Sequence, residues 1–148
     1  MILTVASALL SCNRKTVYDH YEPIDIEGWE KDDTVTFCIR PVTEEGTYSE
    51  EIGLRTTTAF PFRSVCLIVE QRVTPGNSLR CDTLLCTLMN ENGKVTGDGV
   101  GRYQYVFPLA EMTLDKGDSL HIAVRHNMRR EILPGISDLG IRLKRKNL

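Results

Sequence analysis

Apolar side chains recur at every second position through most of this chain. Such a pattern is satisfied by strands that turn one face inward. Val35, Phe37 and Ile39 alternate with Thr34, Thr36 and Cys38, and Ile52, Leu54 and Thr56 alternate with Glu51, Gly53 and Arg55. Tyr103, Tyr105, Phe107 and Leu109 form another stripe, as do Leu120, Ile122 and Val124, while Ile141 and Leu143 alternate with Arg142 and Lys144. The run from Ser64 to Val73 is apolar on both faces and reads as a central strand; Leu79 to Met89 is likewise apolar on both faces. A less regular strand over Val17 to Ile26 carries Pro23, which suits a sheet edge. Turn signals separate these runs at Glu45-Gly46, Pro75-Gly76-Asn77, Asn92-Gly93, Lys116-Gly117-Asp118 and Pro134-Gly135. Roughly eight strands without an amphipathic helix predict an all-β fold, a single antiparallel β-sandwich or jelly roll. The expected core is Phe37, Ile39, Leu54, Leu67, Val69, Leu84, Tyr105, Phe107, Ile122, Val124 and Ile141.

At 148 residues, 41% hydrophobic and 26% charged, the chain is one ordinary globular domain. A net charge of −2 argues against a dedicated nucleic-acid binder, which needs a basic excess. No apolar run reaches the ~18–20 residues of a membrane span.

The amino terminus predicts an anchor. Met1 to Leu10 carries no charge, Gly or Pro, and it leads into Leu9-Leu10-Ser11-Cys12. Aliphatic residues, a small residue and then Cys is the pattern of a bacterial lipobox. Its thiol takes a glyceride and acyl chains, and cleavage leaves Cys12 as the new terminus. Residues 1–11 are then the signal, 12–16 a lipidated tether and 17–148 the sandwich. The signal lacks a leading Lys or Arg, so translation is expected to start upstream of Met1. Each buried acyl CH₂ contributes about 0.8 kcal/mol, so several chains hold the domain on a membrane firmly. The expected location is the cell envelope, lipid-anchored and facing the periplasm.

Chemistry-bearing residues are sparse. Cys38, Cys66, Cys81 and Cys86 sit in strand-like apolar runs and are expected to be buried free thiols. His121 and His126 are five apart on one strand and face opposite sides, so they make no ligand pair. Gly93 to Gly101 superficially resembles a phosphate loop but lacks the Gly-Lys-Ser/Thr ending and leads into a strand, so it reads as a turn with glycines at bulges or positive φ. Asp98 with Asn90, Glu91 and Asn92 offers oxygens for calcium without a regular ligand spacing. No catalytic residue, metal site or cofactor is expected. Trp29 reads as a plug at a strand entrance; with Tyr48 or Tyr103 it would alternatively form a sugar platform.

Charge is uneven, with eleven acidic residues from Asp19 to Glu51 against Lys31 and Arg40. Were they one continuous face, they would suit a cationic partner. Met128 to Gly140 is unusual for a connection. Arg129 and Arg130 precede the rigid Leu133-Pro134-Gly135-Ile136, and Asp138 or the acidic segment could pair with the arginines. The default reading of Arg129-Arg130-Glu131 is an Arg/Glu ion-pair corner; the alternative makes Arg129, Arg130, Leu133 and Ile136 candidate partner-binding residues.

A set of ordered pieces then becomes specific. Leu9-Leu10-Ser11-Cys12 is followed by Trp29, Asp32-Asp33 and the strand through Phe37. After these come Leu54-Arg55, Phe60-Pro61-Phe62, Asp82-Thr83-Leu84 and Gly97-Asp98-Gly99-Val100-Gly101. Last come Met128-Arg129 and Leu133-Pro134-Gly135-Ile136-Ser137-Asp138-Leu139-Gly140-Ile141-Arg142. In order and spacing the chain resembles the gliding-motility-associated lipoprotein H (GldH) family of Bacteroidetes, departing at Phe60 and Ser64. The resemblance implies an envelope lipoprotein associated with gliding machinery, itself linked to type IX secretion, and implies no catalytic mechanism. The expected function is therefore a non-enzymatic lipoprotein that binds other envelope components. The alternative is a carbohydrate- or peptidoglycan-binding jelly roll.

Overall fold

The computed structural model describes residues 15–146 of the chain. Two four-stranded antiparallel sheets face one another. The first runs in the order β1 (Lys15–Pro23), β10 (Ile136–Arg145), β4 (Gly46–Thr57), β7 (Arg102–Leu114). The second runs β3 (Val35–Ile39), β8 (Ser119–His126), β5 (Ser64–Thr74), β6 (Ser78–Thr87). Two short strands, β2 (Trp29–Glu30) and β9 (Ile132–Leu133), pair as a separate ladder. Among the described residues every strand pairing is antiparallel and there is no helix. The expected sandwich is the observed architecture.

Strand phase follows from the alternation. Phe37, Ile39, Leu54, Leu67, Val69, Tyr105, Ile122, Val124 and Ile141 are buried, and Leu84 and Phe107 are half-buried against them. Strand β5 is central, between β8 and β6, and β1 is an edge that stops at Pro23. Strand β6 departs from expectation. It too is an edge, so only its inward residues Leu84 and Cys86 pack, and Leu79 and Leu85 stay 64% and 65% exposed. Cys38 and Cys81 are exposed for the same geometric reason, since each sits on the outward phase of an edge strand. Of the four free thiols only Cys86 is buried, and burial pushes its pKa up to about 12.

The charge asymmetry resolves through topology. Strand β10, with Arg142, Lys144 and Arg145, lies between β1 and β4, both drawn from the acidic segment. Arg142 binds Asp19 at 3.1 Å, Lys144 binds Glu51 at 2.6 Å and Arg145 binds Glu44 at 3.0 Å. The acidic stretch is thus divided between sheet neighbours and loops, without forming one continuous face. Beside these pairs Gly140 of β10 stands opposite Gly53 of β4, and Tyr21 of β1 is the next residue in the row. A Cβ on Gly53 or Gly140 would fall 2.2 or 2.7 Å from Tyr21 atoms, so the two glycines leave the trough that this side chain fills. Arg55 closes it from above, 3.9 Å from the Tyr21 ring centre.

One pair breaks the apolar rule inside the sandwich. Glu50 and Gln71 are each 1% exposed; the Gln71 amide lies close to the Glu50 carboxyl, but among the described residues neither side chain completes a hydrogen bond of full geometry. Burial raises the Glu50 pKa to about 7; the Gln71 amide and the Arg80 guanidinium offset only part of that.

Candidate functional site

Strand directions give the sandwich two distinct ends. Strand β1 begins at Lys15 beside Arg145 and finishes at Pro23 beside Asp138. Ile136 stands opposite Thr56, and Thr57 opposite Arg102. The end remote from Lys15 therefore gathers residues 24–34, 57–63, 88–101 and 127–135. Most of the ordered pieces that are far apart in sequence meet there.

Trp29 is the plug of this end. It is 1% exposed, stacks edge-on against His126 with ring centres 5.2 Å apart, and its Nε1–H donates to the Asp33 carbonyl at 2.9 Å. His126 is fully buried. Its Nε2 lies 3.0 Å from the Trp29 carbonyl, and its Nδ1 accepts from the Met128 amide at 3.3 Å. That arrangement requires the neutral Nε2–H tautomer, and burial lowers the His126 pKa in agreement. His121 is exposed on the opposite face, as the spacing predicts.

Gly135 joins three loops. Its N–H donates to Ile26 at 2.9 Å and its carbonyl accepts from Thr57 at 2.8 Å. Its φ of +86° and a would-be Cβ 2.3 Å from the Phe60 nitrogen admit no side chain. This clamp pulls Leu133 and Ile136 inward, and both are fully buried. They are core positions, which removes them from the expected partner-binding surface. Arg129 and Arg130 are exposed, and among the described residues neither has a hydrogen bond or ion pair. Asp138 instead accepts from the Ser137 hydroxyl at 2.8 Å, so the internally paired corner does not form. At the same end of the sandwich Ile132 and Ile26 are also exposed, at 48% and 45%. Ile132 was legible as the outward partner of Leu133 once β9 is recognised as a strand.

Beside the clamp lies a cleft of about 140 Å³ lined by Thr56, Thr57, Phe60, Phe62, Leu88 and Tyr103 among others. Phe60 and Phe62 meet edge to face. Trp29 and Tyr48 are buried, so Trp29 is the expected plug and the alternative sugar platform is not built from them. The glycine loop is a turn, as expected. Asp98 and Gln104 exchange backbone hydrogen bonds at 3.0 and 2.8 Å, and Gly99 and Gly101 take φ of +120° and +74°. The loop projects Val100, 98% exposed. Asn90 Oδ1 accepts from the Asn92 and Lys94 amides and closes its own turn. Among the described residues no three His, Cys, Asp or Glu side chains are grouped to hold a metal. Cys12 and the signal lie outside the described residues.

The model of the GldH lipoprotein family matches residues 16–143, nearly the whole described chain. The chain belongs to that family. A relative described as gliding motility lipoprotein GldH, from Flavobacterium johnsoniae, is 29% identical over 99% of this chain and 96% of its own length. A GldH homolog from Christiangramia forsetii is 26% identical over 93% of this chain and 88% of its own length. Among solved structures a GH115 4-O-methyl-α-glucuronidase covers 99% of this chain with a TM-score of 0.53 at 16% identity. The match takes in only 20% of that larger protein and shows a shared fold alone. Membership gives the pieces in the sequence a physical reading. Trp29 holds the Asp33 loop, Phe60 receives Gly135, and Arg55 caps the Tyr21–Gly53–Gly140 trough.

Proposed function

We propose that this member of the GldH lipoprotein family is a non-enzymatic, lipid-anchored envelope protein that faces the periplasm. It works by binding other components of the gliding or secretion machinery through the end remote from its anchor. The observation that carries this reading is the direction of β1. Only Asn13 and Arg14 separate Cys12 from Lys15, where the strand begins. An acylated Cys12 therefore holds the Lys15 end close over the lipid. Arg129, Arg130, Ile132 and Ile26, all exposed at the remote end, then point outward, and arginine together with apolar side chains is the composition of a binding hot spot. The lipobox and the names of both relatives support the anchor. The glycan alternative rests on the cleft between Phe62 and Tyr103 at the same end.

Cys12→Ala is expected to move the protein from the membrane to the soluble fraction or to leave its signal uncut. An unchanged fractionation and mature mass would refute the anchor. With the anchor intact, Arg129→Ala/Arg130→Ala is expected to reduce co-purification of motility and secretion components at least tenfold, with Tm moved by no more than about 2 °C. Such exposed side chains contribute little to stability. Lost stability with undiminished capture would overturn the reading, and retention on peptidoglycan alone would favour the glycan alternative.

A further inference from the structure

Four strands in the two main sheets have one unpaired edge, and three of them are blunted. Strand β1 has a register shift between Thr16 and Tyr18 and ends at Pro23. Strand β7 carries Pro108 and a register shift opposite Glu50–Glu51. Strand β3 has five residues. Short length, proline and bulges are among the devices by which sheets avoid pairing with another chain, as are charged side chains. Strand β6 is neither short, bulged nor interrupted by proline, and its two charges, Arg80 and Asp82, are of opposite sign and paired with each other. It runs ten residues in unbroken register with β5, from Val73↔Ser78 to Ser64↔Thr87, and contains no proline. Its outward phase presents Leu79, Cys81, Thr83 and Leu85, with both leucines about two-thirds exposed.

We infer that β6 is an association edge for a second copy of this chain, pairing antiparallel with its own counterpart about a two-fold axis at Cys81. The charge order selects this partner and this register. Arg80 and Asp82 flank Cys81 on the same face of the strand, and within one chain Arg80 Nε donates to Asp82 at 2.7 Å. Both remain accessible, with 47% and 29% of their side chains exposed. In the symmetric pairing Arg80 stands opposite Asp82 of the second copy, and Asp82 opposite its Arg80. The result is a square of alternating charge, in which directly opposed unlike charges are stabilising. Leu79 falls opposite Thr83 of the second copy on the outward face. A symmetric register centred on Asp82 would set two carboxylates against each other. The contact is isologous, so it closes as a dimer instead of propagating as a fibre. Two β3-β8-β5-β6 sheets thereby become one continuous eight-stranded sheet. This inference stands independently of the role given to the remote end.

The test uses the full acylated chain in native membranes, with a short bis-maleimide as the thiol probe. The wild type is expected to give a cross-linked dimer that Cys81→Ser abolishes and Cys38→Ser leaves intact. Cys38 is also exposed but lies on β3, so it reports random collision. Asp82→Arg and Arg80→Asp, each expressed alone, are expected to lower the Cys81 cross-link at least tenfold, because both oppose like charges. Co-expressed with different tags, the two variants are expected to recover the cross-link in the mixed dimer only. Folding defects cannot produce that recovery. Cross-linking that survives Cys81→Ser, single charge variants that behave as wild type, or a mixture that does not recover would each overturn the inference.

Discussion

Trp29→Ala is expected to lower the unfolding free energy by about 3–5 kcal/mol, the range for truncating a large buried aromatic. The side chain is 1% exposed, and its removal opens a cavity beside His126 and frees the Asp33 carbonyl. The residues around it are held by the rigid β8 and β9 ladders and can collapse only partly into the space. The loss also spreads. His126 bonds both the Trp29 carbonyl and the Met128 amide, so the connection bearing Arg129 and Arg130 loosens with it. Trp29 is the chain's single tryptophan, so circular dichroism in a denaturant series is the appropriate measurement. A loss below about 1 kcal/mol would mean that Trp29 does not organise this end.

The second large effect depends on pH. The Glu50 carboxyl has a pKa of about 7 in the fold against a reference of 4.5, so the native state holds its proton more tightly than the unfolded chain. The stabilisation from that proton is fully present below pH 4.5 and is lost as pH rises through 7. At 1.36 kcal/mol per unit it amounts to about 3 kcal/mol. Glu50→Gln keeps the shape and a hydrogen-bonding group while removing the ionisation. Wild type and variant are therefore expected to have similar stabilities at pH 4, with the variant more stable by about 3 kcal/mol at pH 8. Urea midpoints across that range read the difference directly. A variant that keeps the wild-type slope would place its origin in another group.

Both effects come from residues whose surroundings were unequally legible in the sequence. Alternation is a local property, and it placed the strands and the inward phase of residues such as Phe37, Leu54 and Ile122. Whether the second face of a strand is covered is not local. Leu79 to Met89 has apolar residues on both phases because its sheet ends there and leaves Leu79 and Leu85 outside. Nothing within the run distinguishes it from β5. Strands β2 and β9 are two residues each, too short to show any period. With β9 unseen, Pro134-Gly135 read as an exposed turn, whereas its hydrogen bonds to Ile26 and Thr57 draw it in and take Leu133 and Ile136 with it. Whether Arg129 and Arg130 would be paired internally or left exposed was not legible, because it depends on which way Asp138 turns, and its carboxylate takes the Ser137 hydroxyl instead. Glu50 was legible only in part: it shares the phase of Ile52 and Leu54, but an acidic side chain there gives no sign that the covered stretch of the strand extends over it.

The order of β1 and β10 has a mechanical consequence. Strand β1 leaves the anchor end at Lys15, while β10 starts at the remote end at Ile136, immediately after the Arg129–Gly135 connection. A load applied between the lipid and that connection draws these two neighbours along their own axes in opposite senses. The ladder from Lys15↔Arg145 to Pro23↔Asp138 is then sheared, with its transverse hydrogen bonds sharing the tension together. A hairpin pulled from its open end would surrender them one at a time. Resistance to forced unfolding is governed by the unfolding rate, and tension between Lys15 and the remote end meets this ladder in shear.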